Sequence, residues 1–126
     1  MGGEGPTFDA IETSAFVVVD WTAGPETSRE RPIAGLHLHH EDDEAWLVLA
    51  GRLGFRVGDE ELEIGPGESI VAVRGVPHSF WNAGGGPARY LLVMTPRLKR
   101  LIDALHAGGR TDYAEIFREH ASELLV

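Results

Sequence analysis

Three histidines and one glutamate in this chain stand at spacings that suit a bound cation: His37, His39 and Glu44 close together, and His78 on a later segment. In an extended strand alternate side chains share a face, so His37 and His39 present both imidazoles to one side. The run from Glu44 to Leu49, EAWLVL, reads as the next strand after a short turn. Its first residue brings a carboxylate beside the two imidazoles, which makes a facial three-ligand set, and His78 adds a third imidazole. Such a set leaves a divalent first-row ion with a net charge near about +1 and up to about two open octahedral positions for water, dioxygen or a chelating substrate. The chain has no cysteine, so disulfides and thiolate sites are excluded and the donors are nitrogen and oxygen. Iron, manganese, nickel, cobalt, zinc and copper in their divalent states all fit one such site. Protons compete with the metal for the same imidazole nitrogens, so acid should release it.

The text around these residues resembles a known family. His37 to Gly51, HLHHEDDEAWLVLAG, is similar to the first cupin motif: His, one residue, His, four residues, Glu, six residues, Gly. Gly67 to Asn82, GESIVAVRGVPHSFWN, resembles the second motif, with Gly67, Gly75, His78 and Asn82 in their places. Two positions depart: Arg31 stands where the family has a glycine, and Val73 where it has a proline. Both shape backbone rather than ligate. The resemblance spans Arg31 to Asn82 and implies an all-β fold, the cupin double-stranded β-helix or jelly-roll barrel of roughly six to ten antiparallel strands. It also implies that His37, His39, Glu44 and His78 hold one metal. The activities it implies are diverse: dioxygenases acting on flavonols, thiols or catechol-like compounds, isomerases, decarboxylases, polyketide cyclases and proteins without known catalysis.

The elements that must position the site can be read from period and punctuation. Apolar β-formers come in bursts at residues 15–21, 33–39, 45–49, 53–57, 60–64, 69–73, 78–82 and 88–95. Val57 to Glu60 reads as a tight hairpin, and Gly65, Pro66 and Gly67 interrupt the chain again. Residues 1–10, glycine-rich at the start, are expected to be flexible, with the barrel over 14–95. The period then changes. Leu98, Leu101, Ile102 and Leu105 recur at helical spacing, and so do Tyr113, Ile116, Phe117, Ala121 and Leu124, which predicts two α-helices within 97–125, parted by Gly108 and Gly109. Pro96 can open the first; Asp112 with Glu115 resembles a capping pair for the second. These stripes are expected to pack on the barrel or on a second subunit. His40 should point away from the site, Asp42 and Asp43 read as solvent-facing charge in a turn, and His106 and His120 read as surface or interface residues.

Strand alternation also assigns a substrate pocket. Counting from inward Glu44 places Trp46 and Val48 inside, counting from His78 places Phe80 and Asn82 inside, and Phe55 and Val57 share a further apolar face with Leu53. Plain core packing competes with that role for Trp46 and Phe80, and Asn82 can equally fix a loop by bonding backbone. Arg52 and Arg56 alternate away, which leaves no interior cation for a phosphate. With 126 residues the chain has room for one domain. A net charge of −9 disfavours nucleic acid and anionic membranes as partners. No apolar run suggests a leader or a membrane span, no segment has the length of a helix-turn-helix, and the cytoplasm is the expected compartment. The reading that follows is a metal-dependent enzyme acting on a small apolar, aromatic or keto-enol substrate, of dioxygenase type, with Glu44 able to serve as catalytic base. Redox-neutral isomerisation, cyclisation or decarboxylation is the alternative, and ligand binding without turnover a third. Residues 15–21 read as an edge strand through which a homodimer would form.

Overall fold

Short runs of β-branched and aromatic residues, each stopped by glycine, proline or a charged turn, favour strand pairing over helix along most of the chain. In the computed structural model, which describes residues 5–6 and 11–125, they build two antiparallel sheets around one apolar core. The strands are β1 (Gly5–Pro6), β2 (Ile11–Glu12), β3 (Val17–Ala23), β4 (Ala34–His39), β5 (Glu44–Ala50), β6 (Leu53–Val57), β7 (Glu60–Ile64), β8 (Ser69–Ala72), β9 (His78–Asn82) and β10 (Ala88–Met94). Helices α1 (Pro96–His106) and α2 (Tyr113–Glu119) follow, and β11 (Ser122–Leu124) ends the described chain. One sheet runs β1-β3-β10-β5-β8, with β2 also on β3; the other runs β11-β4-β9-β6-β7. From β3 to β6 the chain changes sheet at every step, which is the winding of an all-β jelly roll, the double-stranded β-helix. Among the described residues no helix is long and apolar enough to cross a membrane.

The core sits between the sheets. Val17 and Val19 of β3, Trp46 and Val48 of β5, Phe55 of β6 and Tyr90 of β10 are each at most 2% exposed, so alternation along these strands turns one face fully inward. Each such side chain contributes about 1.5–3 kcal/mol by leaving water. Helix α1 begins as Pro96 predicts, at the first turn, and Thr95 caps it by accepting from the Leu98 amide at 3.2 Å. Its buried Leu98 and Leu101 lie against the barrel.

Several expectations need correction. The strand near residues 15–21 is no free edge, because β3 pairs with β10 on one side and with β1 and β2 on the other. Gly5 and Pro6, within the segment expected to be flexible, pair with Thr22 and Trp21; residues 1–4 and 7–10 lie outside the described residues. Helix α2 stops at Glu119, before Ala121 and Leu124. Ala121 takes φ +52° and turns the chain into β11, whose pairing with the free side of β4 wins over the helical period. Asp112 makes no side-chain cap; its carboxylate is taken by Arg110 at 2.6 Å.

Candidate metal centre and its cavity

The metal-ligand set is assembled from both sheets. In one, β4 lies beside β9 with His37 directly opposite His78, and His39 shares the inward face of His37. In the other, Glu44 is the first residue of β5, delivered there by the turn through residues 40–43. All four side chains are buried, and one donor atom of each lies within 4.8 Å of the others. His39 Nε2 and His78 Nε2 are each 3.3 Å from Glu44 Oε1. Neighbouring donors around an ion with bonds of about 2.0–2.2 Å stand roughly 3 Å apart, so the set matches an ion's scale with little contraction.

Hydrogen bonds on the outer side of each ring decide which nitrogen faces inward. His37 Nδ1 lies 2.6 Å from the Gly35 carbonyl, and His78 Nδ1 lies 3.0 Å from that of Val76. A carbonyl only accepts, so both rings carry Nδ1–H. His39 Nδ1 lies 2.7 Å from Ser122 Oγ, whose hydroxyl donates to the His120 carbonyl at 3.0 Å. With that hydrogen committed, Ser122 Oγ accepts from His39 Nδ1–H. Each of these three rings therefore keeps its Nδ1 committed outward, and Nε2 of His39 and of His78 is turned toward the Glu44 carboxylate, where it can bind an ion once it carries no proton. A cation at the centre would take the place of the contacts that His39 and His78 make with Glu44, and carbonyl or hydroxyl partners behind each imidazole are what metal-ligating histidines use. The residues thus fit a divalent ion, and nothing in the donor set distinguishes one first-row metal from another.

The ionisation states agree. Burial, reinforced by His78 and His39, pushes His37 down to about 4. Burial acts to raise Glu44, but hydrogen bonds and attraction from His39 and His78 outweigh it and hold the carboxyl down to about 2. At neutral pH His37 is uncharged and Glu44 ionised.

The motif glycines serve geometry. Gly75 has φ +81° and donates its amide to the His39 carbonyl at 2.7 Å, which ties the second motif to the strand of the first. Gly51 has φ +79°, and a Cβ there would stand 2.8 Å from Ala88 Cα. The two departures are absorbed locally. Arg31 closes a turn with Ser28 through reciprocal backbone bonds of 3.0 and 3.1 Å, and Val73 opens a turn that the Val76 amide closes at 3.2 Å.

A cavity of about 120 Å³ opens onto the cluster. Its lining includes His37, His39 and Glu44 at one end, Trp46, Phe80, Tyr90 and Trp21 from the strands, and Leu98, Leu101, Ile102 and Leu105 from α1. Of the six residues assigned to the pocket from alternation, Trp46 and Phe80 line it. Val48, Phe55, Val57 and Asn82 do not. Val48 and Phe55 are fully buried in the core, Phe55 stacked on Phe80 at 5.6 Å, so the ring meant to face ligand faces another ring instead. Val57 lies half-buried at the end of β6, packed against the core. Asn82 Nδ2 donates to the carbonyls of Ala23, Gly24 and Gly86, and Asn82 Oδ1 accepts from the Gly84 amide, so it locks loops.

Other charges sort differently from expectation. Asp43 is exposed and pairs with Arg74, while Asp42 is only 4% exposed, with Oδ2 3.3 Å from Arg97 Nε on α1. Asp42 thus ties the turn to the helix rather than facing solvent. His40 lies outside the cluster, 3.8 Å from Glu123, and His120 bonds the Ile116 carbonyl. His106 tilts against Trp21 at 5.9 Å and joins the cavity wall. Ser122 and Phe117, whose ring meets His37 edge-on at 5.4 Å, were not foreseen as parts of the site. Trp21 was legible in principle, since it alternates with Val17 and Val19; Ser122 gives no signal in sequence.

Known proteins agree with this architecture. The family model for the cupin domain matches residues 28–94, more than half of the chain, and this protein belongs to the cupin family. A double-stranded β-helix protein from Klebsiella pneumoniae superposes with a TM-score of 0.58 at 25% identity, over 75% of this chain and 78% of the other. The polyketide cyclase RemF from Streptomyces resistomycificus gives a TM-score of 0.54 at 32% identity, over 65% of this chain and 55% of its own. The HTH-type transcriptional regulator PuuR from Escherichia coli is 28% identical over 71 residues, 56% of this chain. The match spans 38% of that regulator's length.

Proposed function

We propose that this cupin is a metal-dependent enzyme acting on a small apolar, aromatic or keto-enol substrate, of dioxygenase type. The observation that carries the reading is the orientation of the imidazoles: three Nδ1–H groups are held by oxygens, which leaves Nε2 of each ring available to an ion beside Glu44, and His37, His39 and Glu44 line the end of an apolar cavity. An ion held by His37, His39, Glu44 and His78 supplies Lewis acidity to an enol or phenol oxygen and, where redox-active, an electron path to dioxygen. The protein's own residues do the rest. Trp46, Phe80 and the leucines of α1 exclude bulk water and favour an apolar body. Glu44 would act as base only on detaching from the ion, where it could take the proton that such a substrate must lose. The working compartment we propose is the cytoplasm.

Oxygen uptake tests this. Protein loaded with iron, manganese or nickel should consume oxygen with some member of a panel of phenolic and keto-enol compounds, and His37→Ala protein should not. Uptake no greater than that of the variant across the panel would refute it. The likeness to RemF favours a second reading, redox-neutral cyclisation, isomerisation or decarboxylation, which would proceed without oxygen in zinc-loaded protein. Similarity to part of PuuR favours ligand binding without turnover, and saturable binding with no product would identify it.

A further inference from the structure

The outer face of one sheet is apolar from edge to edge. Directly opposite one another across five strands stand Ile11 of β2, Val18 of β3, Val93 of β10, Ala45 of β5 and Val71 of β8. Opposed residues share one side of a sheet, and the chain neighbours Val17, Val19, Trp46, Ala72 and Met94 are buried in the core, so this row faces outward. Leu91 and Leu47 form a second opposed pair on the same side. Nine large apolar side chains are exposed among the described residues, and six of them lie here: Ile11, Phe16, Leu49, Val71, Val73 and Val93, with 36–59% of their surface open. The plate that carries them measures roughly 19 Å across the strands and 17 Å along them. Half-open side chains over that plate present on the order of 400 Å² of apolar surface, a size at which a patch on a soluble chain commonly has a partner. A stable interface takes roughly 800 Å² from each partner, somewhat over half of it apolar, so this face with its polar rim meets the requirement. Charge narrows the choice of partner. The chain carries −9 overall, so two copies repel one another in most orientations. Here the charges at either end of the face are paired: Arg89 Nε donates to Asp20 at 3.0 Å, and Arg74 Nη2 donates to Asp43 at 3.2 Å. The row between them carries no charge, so a second copy approaching this face meets no net like charge.

We propose that a second copy of this chain covers the outer face of β2, β3, β10, β5 and β8, giving a closed two-fold dimer. The contact is sheet on sheet, about 10 Å between backbones, and uses no strand edge. A flat, neutral face is complementary to itself, as a two-fold contact requires. The two apolar rows meet, and Val93, the middle residue of the row, lies close to its counterpart. The inference is independent of the metal centre, whose ligands lie on the inner side of the barrel.

Sedimentation equilibrium of the full chain, from low to high micromolar concentration, should give twice 13.7 kDa. Val93→Glu and Val71→Glu should each raise the dimer dissociation constant by more than about a hundred-fold, because the two-fold sets like charges into a contact without water. Leu62→Glu, at an exposed apolar residue of β7 on the other sheet, should change it by less than about two-fold. Crosslinking supplies a second arm that stands even if the glutamate variants misfold. The chain has no cysteine, so a short bismaleimide should join two copies through Val93→Cys and not through Leu62→Cys. A single-chain mass over the whole range would overturn the proposal. So would a dimer that survives both glutamate substitutions on the face, or one that crosslinks as readily through Leu62→Cys. A mass that climbs past the dimer with concentration would overturn it as well, since an open assembly is not a two-fold one. A chain that stays single but floats with phosphatidylcholine vesicles would assign the face to lipid instead and overturn it too.

Discussion

Ser122→Ala should weaken metal binding from a position that touches no metal. Ser122 is 2% exposed, sits directly opposite His39 in the β4–β11 pairing, and accepts from His39 Nδ1–H at 2.7 Å while donating to the His120 carbonyl at 3.0 Å. Alanine leaves His39 Nδ1–H without a partner in a buried site. The ring can then shift its proton to Nε2, where it blocks the lone pair that faces Glu44. Loss of an oxygen partner behind a ligating histidine costs about 10–100-fold in metal affinity, or roughly 1.4–2.7 kcal/mol. The same range follows from stranding a buried donor, about 1–3 kcal/mol. A competitive zinc titration against a chromophoric chelator measures the first quantity, and nitrogen-15 shifts of the imidazoles report the tautomer directly. Ser122→Thr, which keeps the hydroxyl, should retain most of the affinity. If folded Ser122→Ala protein binds zinc as tightly as the parent with an unchanged tautomer, the hydrogen-bond argument for the cluster is wrong.

Further expectations follow from the same geometry. His37 is pushed from 6.5 down to about 4, so between those values the unfolded chain binds a proton that the folded chain refuses. Metal-free protein should therefore lose stability as pH falls from 6.5 toward 4, by up to roughly 3 kcal/mol from this group, and Glu44, held at about 2, extends the loss below 4.5. Urea unfolding at pH 7 and pH 5 checks this, and equal stability at both would contradict it. Leu101→Ala on α1, at a site only 2% exposed, should cost about 2–4 kcal/mol in denaturant unfolding and enlarge the cavity; a loss under about 1 kcal/mol would mean the helix does not seal it. A homodimer, which can no longer use β3 as a free edge, predicts a light-scattering mass near twice 13.7 kDa, and a single-chain mass would end that expectation.

Much of this protein is local and therefore legible in the chain. The spacing of His37, His39 and Glu44 works through the two-residue period of a strand and one short turn, so no long-range knowledge is needed to put their donors on one face. Strand bursts, the Pro96 helix start and the family motifs are of the same kind. Tertiary structure decided what depends on partners distant in sequence. Which alternating residues face cavity and which face other rings is settled by how β6, β9 and β10 stack, and that is why Phe55 became core while Trp21 and α1 leucines became wall. The end of α2 is another case, since an open side of β4 offers backbone bonds that a helical period in Ala121 and Leu124 cannot announce. Ser122 shows it most plainly: 83 residues from His39, it sets the proton of that ring only because β11 folds back beside β4.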